Sequence, residues 1–61
     1  MWQVVFITTE QEEAIELQEQ IQKEGFLIKI DVLQDEENGE TYQLLVPLSE
    51  AEEALNLISE L

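Results

Sequence analysis

The stretch from Phe26 to Leu48 constrains this chain more than any other. It reads Phe-Leu-Ile-Lys-Ile-Asp-Val-Leu, then Gln-Asp-Glu-Glu-Asn-Gly-Glu, then Thr-Tyr-Gln-Leu-Leu-Val-Pro-Leu. Two runs of β-branched and aliphatic residues flank Asn38-Gly39, the strongest short-range signal for a β-hairpin. Side chains alternate along a strand, so Phe26, Ile28, Ile30 and Val32 share one face of the first run. Tyr42, Leu44, Val46 and Leu48 share one face of the second. A two-residue turn at Asn38-Gly39 would set Val32 opposite Leu45. A three-residue turn, Glu37-Asn38-Gly39, sets Val32 opposite Leu44 and Ile30 opposite Val46, and brings both apolar sets to one side. It also gives Gly39 the left-handed position that closes a type I turn with a G1 bulge. A one-residue slip flips every side chain, so burial favours the three-residue turn.

The remaining segments read as one strand and two helices packed on this hairpin. Trp2 to Ile7 is a strand with apolar residues on both faces: Trp2, Val4 and Phe6 on one, Val5 and Ile7 on the other. Such a strand is usually covered on both sides. Thr9 with Glu12 has the spacing of a capping box, and Glu10, Glu12 and Glu13 suit the positive end of a helix dipole. Ala14, Leu17 and Ile21, with Ile15 at the edge, form an apolar stripe at helical spacing. Gly25 is the natural left-handed terminator, so the helix is expected over about Glu10 to Glu24. Pro47 suits the end of the last strand. Ser49 with Glu52 reads as a second capping box, leading a helix whose stripe is Ala51, Ala54, Leu55, Ile58 and Leu61.

The order β-α-β-β-α calls for a right-handed crossover that leaves room for the third strand between the first two. The expected fold is therefore α+β, a ferredoxin-like half. It has a three-stranded antiparallel sheet in order 1-3-2 with two helices on one face, and one domain spans residues 1–61. The usual final strand is missing. The first strand is then an edge, and the open face carries Leu27, Leu33 and Leu45 beside Lys29, Asp31 and Gln43. An exposed edge and an apolar patch on a small domain point to a partner. A chain of 61 residues buries only about 60% of its unfolded surface and commonly needs disulfides, a metal or oligomerisation. Without Cys or His, oligomerisation remains. The expected association is a homodimer joined by sheet edges or faces, through Trp2, Val4, Phe6, Leu27, Leu33 and Leu45. Docking of another protein is the other use of that surface.

Charge narrows the function. The formal net charge is −13, with Lys23 and Lys29 the only cationic side chains. No basic face for phosphate contacts can be built, so nucleic acid is not an expected partner, nor is an anionic membrane. No apolar run approaches the ~20 residues of a membrane span. Met1-Trp2-Gln3 carries no basic segment of a signal peptide, and the lack of Cys fits a cytoplasmic chain. Catalysis is not expected: there is no His or Cys, Ser49 and Thr9 read as caps, Ser59 is near the end of a helix, and the carboxylates sit on solvated helix starts. Lys23 at a helix end and Lys29 on an open strand are poor Schiff-base candidates. Asp31, Asp35, Glu36, Glu37, Asn38 and Glu40 could gather round a hard cation, but they lack the spacing of an EF-hand loop. No glycine-rich phosphate loop exists, and no cofactor or metal site is expected. A small-molecule or metal sensor with its site at a subunit boundary is the alternative function.

Several stretches carry a resemblance: Trp2 to Thr8, then Glu13-Ala14 and Leu17, Glu24 to Ile30, Leu45-Val46-Pro47 and Glu52-Glu53-Ala54. Together they resemble a group of short bacterial signal-transducing proteins with a fold like the nitrogen-regulatory signal proteins. That resemblance implies a ferredoxin-like regulatory or scaffold module and supplies no active residues. The long nucleotide-binding loop of true nitrogen regulators has no counterpart here.

Overall fold

The computed structural model describes residues 1–37 and 39–61. The elements are β1 (Trp2–Thr8), α1 (Gln11–Lys23), β2 (Lys29–Asp35), β3 (Gly39–Pro47), a 3-10 turn (Leu48–Glu50) and α2 (Ala51–Glu60). The strands form one sheet in order β1-β3-β2, and β3 runs antiparallel to both neighbours. The hairpin's register sets Val32 opposite Tyr42, Ile30 opposite Leu44 and Asp35 opposite Gly39. Three residues separate the closing pair Asp35 and Gly39, the expected loop length, but the loop falls one residue earlier than the predicted Glu37-Asn38-Gly39, so the register slides by two residues. The chain already turns at Asp35, whose Oδ1 accepts the Glu37 N–H at 2.9 Å, an Asx turn. Because the shift moves the pairing by a whole pair, the apolar sets keep the predicted face. Gly39 has φ +75°, the left-handed value expected of it. Asn38 lies outside the described residues.

Alternation along β1 does not hold. Val4 pairs with Leu45 but Phe6 pairs with Leu44, so Val5 is the extra residue of a β-bulge. The bulge sends Val5 into the core and also turns Phe6 towards the helices, where it packs against the core cluster. Phe6 is therefore not on the face of Trp2 and Val4, and Ile7, opposite Gln43, takes that side instead.

Both helices pack on the sheet face that presents Ile28, Tyr42, Leu44 and Val46. Ala14, Ala51 and Ala54 are buried at this contact, and their small side chains let the helix backbones approach the strands. Ile21, Leu44 and Val46 are the largest fully buried side chains. The α2 stripe differs from expectation: Leu57 packs on the core, while Leu55 and Leu61 are exposed. The 3-10 turn fixes the phase at Ala51 and Ala54, which places Leu57 and Ile58 one turn on. Ile15 is exposed as well.

Neither predicted capping box forms. The N-cap of α1 is Glu10, without a side-chain cap. Thr8, not Thr9, serves the entry: its Oγ1 accepts the Glu10 N–H at 3.1 Å and donates to Glu13 Oε1 at 2.5 Å. Ser49 is bypassed because the 3-10 turn delivers Glu50 to α2 already near helical geometry (φ −108°, ψ −1°). The C-terminus of α1 follows expectation. Gly25 N–H donates to Gln22 O at 3.0 Å and Phe26 N–H to Ile21 O at 3.4 Å, the paired bonds of a Schellman motif. Phe26 and Ile21 both belong to the packed core region, the hydrophobic contact that accompanies this motif.

A Cβ on Gly25 would meet nothing within 4 Å, yet φ is +94°. Gly25→Ala should therefore cost about 1–2 kcal/mol, purely as backbone strain. Gly25→Asn should cost less, because Asn tolerates the left-handed region. Urea denaturation of the two variants checks the order.

Candidate functional site: the open face of the sheet

The sheet face turned away from the helices is laid out in rows across the three strands. Trp2 lies opposite Pro47; Val4, Leu45 and Lys29 form the next row; Ile7, Gln43 and Asp31 the next; then Thr41 and Leu33, with Gly39 and Asp35 the last, at the hairpin end. Trp2 is 40% exposed, Ile7 56% and Leu33 49%, and Val4 and Pro47 are half-buried. Leu45 is only 8% exposed although it stands outside the helix-side core. The reason is a bracket over it: Lys29 Nζ lies 4.4 Å from the centroid of the Trp2 ring, so the two side chains meet across the central strand. The lysine stem lies along apolar surface while its ammonium rests on the indole face.

Charge is distributed unevenly. The rows carry one cation, Lys29, and two carboxylates, Asp31 and Asp35. Asp35, at the hairpin end of the same strand, is folded back onto the Glu37 N–H. The remaining thirteen of the fifteen carboxylates sit on the helices, at their ends or at the hairpin tip. A chain of net charge −13 thus has one near-neutral, half-apolar surface.

The residues expected to mediate association are placed as follows. Trp2, Val4, Leu33 and Leu45 lie together on this face. Leu27 is exposed but precedes the paired part of β2, and its N–H donates to Glu50 Oε1 at 3.3 Å. Phe6 is on the opposite side. It lines a groove of about 280 Å³ with Glu13, Glu16, Leu17, Gln20, Ile58 and Leu61. Ile7 joins the face through the bulge, a shift that an unbroken apolar run does not reveal.

Other candidate groups are dispersed. Ser59 donates its hydroxyl to Asn56 O at 2.9 Å. Thr9 and Ser49 are exposed and cap nothing. Asp31 sits in the middle of the sheet, a strand turn and more from the hairpin tip. Among the described residues no group of three or more Asp or Glu side chains is gathered as a metal site, and no helix is long and apolar enough to cross a membrane. The Tyr42 phenol is on the core side as expected, with its O–H donating to Glu40 Oε1 at 3.4 Å. Its pKa is raised above 10.0, by desolvation first and then by the charge and hydrogen bond of Glu40.

The sign of that shift gives a pH dependence. The folded state holds the phenolic proton more tightly than the unfolded chain. The associated stability is fully present below about pH 10 and is lost as pH rises through the folded pKa. Tyr42→Phe should lose less stability than the parent over that alkaline interval, measured by urea unfolding at a series of pH values.

The fold is an α+β ferredoxin-like half, with a 1-3-2 antiparallel sheet covered on one face by two helices. No family model, curated protein or solved structure matches the chain.

Proposed function

We propose that this protein is a small acidic regulatory or protein-interaction module, non-catalytic and acting as a homo-oligomer. The observation that carries the reading is the open sheet face: half-apolar and near-neutral on an otherwise strongly acidic chain. Exposed apolar patches of this kind on small domains mark association sites. The sequence resemblance to short bacterial signal-transducing proteins supports the regulatory part. The absence of His and Cys from the chain supports a role in binding rather than chemistry.

Molar mass by light scattering across a dilution series tests the reading. It should be run at about 0.15 M salt, where the Debye length is roughly 8 Å and repulsion between acidic chains is screened. A mass of twice the 7.1 kDa chain or more, falling on dilution, is expected. A single-chain mass at every concentration would contradict homo-oligomerisation.

A further inference from the structure

We infer that the open sheet faces of two copies pack against each other about a two-fold axis, with Lys29 of each copy meeting Asp31 of the other. The inference rests on the homo-oligomer reading above and specifies its surface. Lys29 and Asp31 are two residues apart on β2, on the same face, in adjacent rows. A two-fold operation that sets Lys29 against Asp31 of the second copy necessarily sets Asp31 against its Lys29, because an isologous contact is reciprocal. At these two positions the face is thus charge-complementary to itself. Around this pair stand Trp2, Val4, Ile7 and Leu33, with Leu45 beneath.

Charge distribution selects this arrangement over the others. A cationic partner would be drawn to the helices and the hairpin tip, which hold thirteen carboxylates, and not to a face whose rows hold two beside a lysine. Joining two copies by their β1 edges would place their acidic helices side by side in one layer. Packing face to face puts the helix layers on opposite outer surfaces. With sheets about 10 Å apart and a helix of about 10 Å diameter behind each, the acidic layers are on the order of 30 Å apart. That is well beyond the Debye length of about 8 Å at physiological salt. Each copy's Lys29 ammonium, already resting on Trp2, stands over the apolar part of the face and needs an anion there once water leaves. The facing Asp31 supplies it.

Charge reversal tests the geometry. Lys29→Asp gives a copy with two acidic side chains at the paired positions, and Asp31→Lys gives one with two lysines. Each alone should self-associate at least tenfold more weakly than the parent in sedimentation at about 0.15 M salt. An equimolar mixture should recover association, because every pair is then opposite in sign. Retention of parental association by both single variants, or failure of the mixture to recover it, would overturn the face-to-face pairing while leaving homo-oligomerisation intact. A parent that is monomeric throughout would overturn the homo-oligomer reading on which the inference rests. Should Lys29→Asp lose its fold by circular dichroism, Ile7→Arg replaces it. Ile7 is 56% exposed in the single chain, so the variant should remain folded and be monomeric; a folded, dimeric Ile7→Arg would overturn the inference.

Discussion

Leu44→Ala is expected to leave the protein largely unfolded, or at the threshold of unfolding, at room temperature. Leu44 is fully buried on the central strand, opposite Phe6 on one side and Ile30 on the other. Truncating such a residue costs about 2–5 kcal/mol, the transfer loss plus the cavity left behind. A 61-residue domain holds roughly 3–9 kcal/mol in all. Urea denaturation followed by circular dichroism measures the loss. Leu33→Ala is the matched control, since Leu33 is half exposed on the other face of the sheet. It should cost under about 1 kcal/mol in the unassociated chain. Equal losses for the two variants would mean that the assigned faces are wrong.

Phe6→Ala should destabilise the fold by about 2 kcal/mol and leave the open face unaltered. The figure is below the about 3–5 kcal/mol typical of a fully buried Phe because Phe6 is only partly covered by the helices. The same strand supplies the contrast. If alternation held through Val5, Phe6 would share the exposed face of Trp2 and Val4, and its truncation would change association and hardly touch stability. Thermal or urea unfolding of Phe6→Ala, with its molar mass at a concentration where it is still folded, separates the two placements.

The parts of the fold legible in the sequence are those carried by short-range periodicity and local backbone chemistry. Alternation in the two hairpin runs fixes which side of each strand is apolar, and this survives a register that slides by two residues from the expected one. Only a slip of odd parity would have inverted it. Gly25 is readable as a helix terminator because the left-handed conformation excludes most other residues. The β1 bulge is not readable, because Val4-Val5-Phe6-Ile7 is apolar without a break and offers no alternation to interrupt. The caps fail for a different reason. Thr8 and Thr9 are adjacent hydroxyls, and only the path of the chain out of β1 decides which one reaches the helix. Likewise, nothing in Ser49-x-x-Glu52 signals the 3-10 turn that makes a cap at Ser49 unnecessary.

The candidate site was legible in outline from the exposed residues of the hairpin, Leu33 and Leu45 among them. Its final composition depends on long-range register. The bulge removes Phe6 and admits Ile7. The meeting of Trp2 with Lys29 across Leu45 joins residues 27 positions apart and follows only once β3 lies between β1 and β2. The poverty of this face in carboxylates emerges at the same stage, since fifteen acidic residues spread along the sequence give no hint that one sheet surface is nearly spared.

Trp2 makes the central claim directly measurable, because it is the single tryptophan and stands on the proposed contact. Its emission and its quenching by acrylamide, a neutral probe unaffected by the chain's charge, should be followed through the same dilution series as molar mass. Association through the open face predicts blue-shifted, protected Trp2 in the oligomer that becomes red-shifted and quenchable in step with the fall in mass. An oligomer that dissociates while Trp2 emission and quenching stay constant would place the contact elsewhere on the molecule and contradict the account.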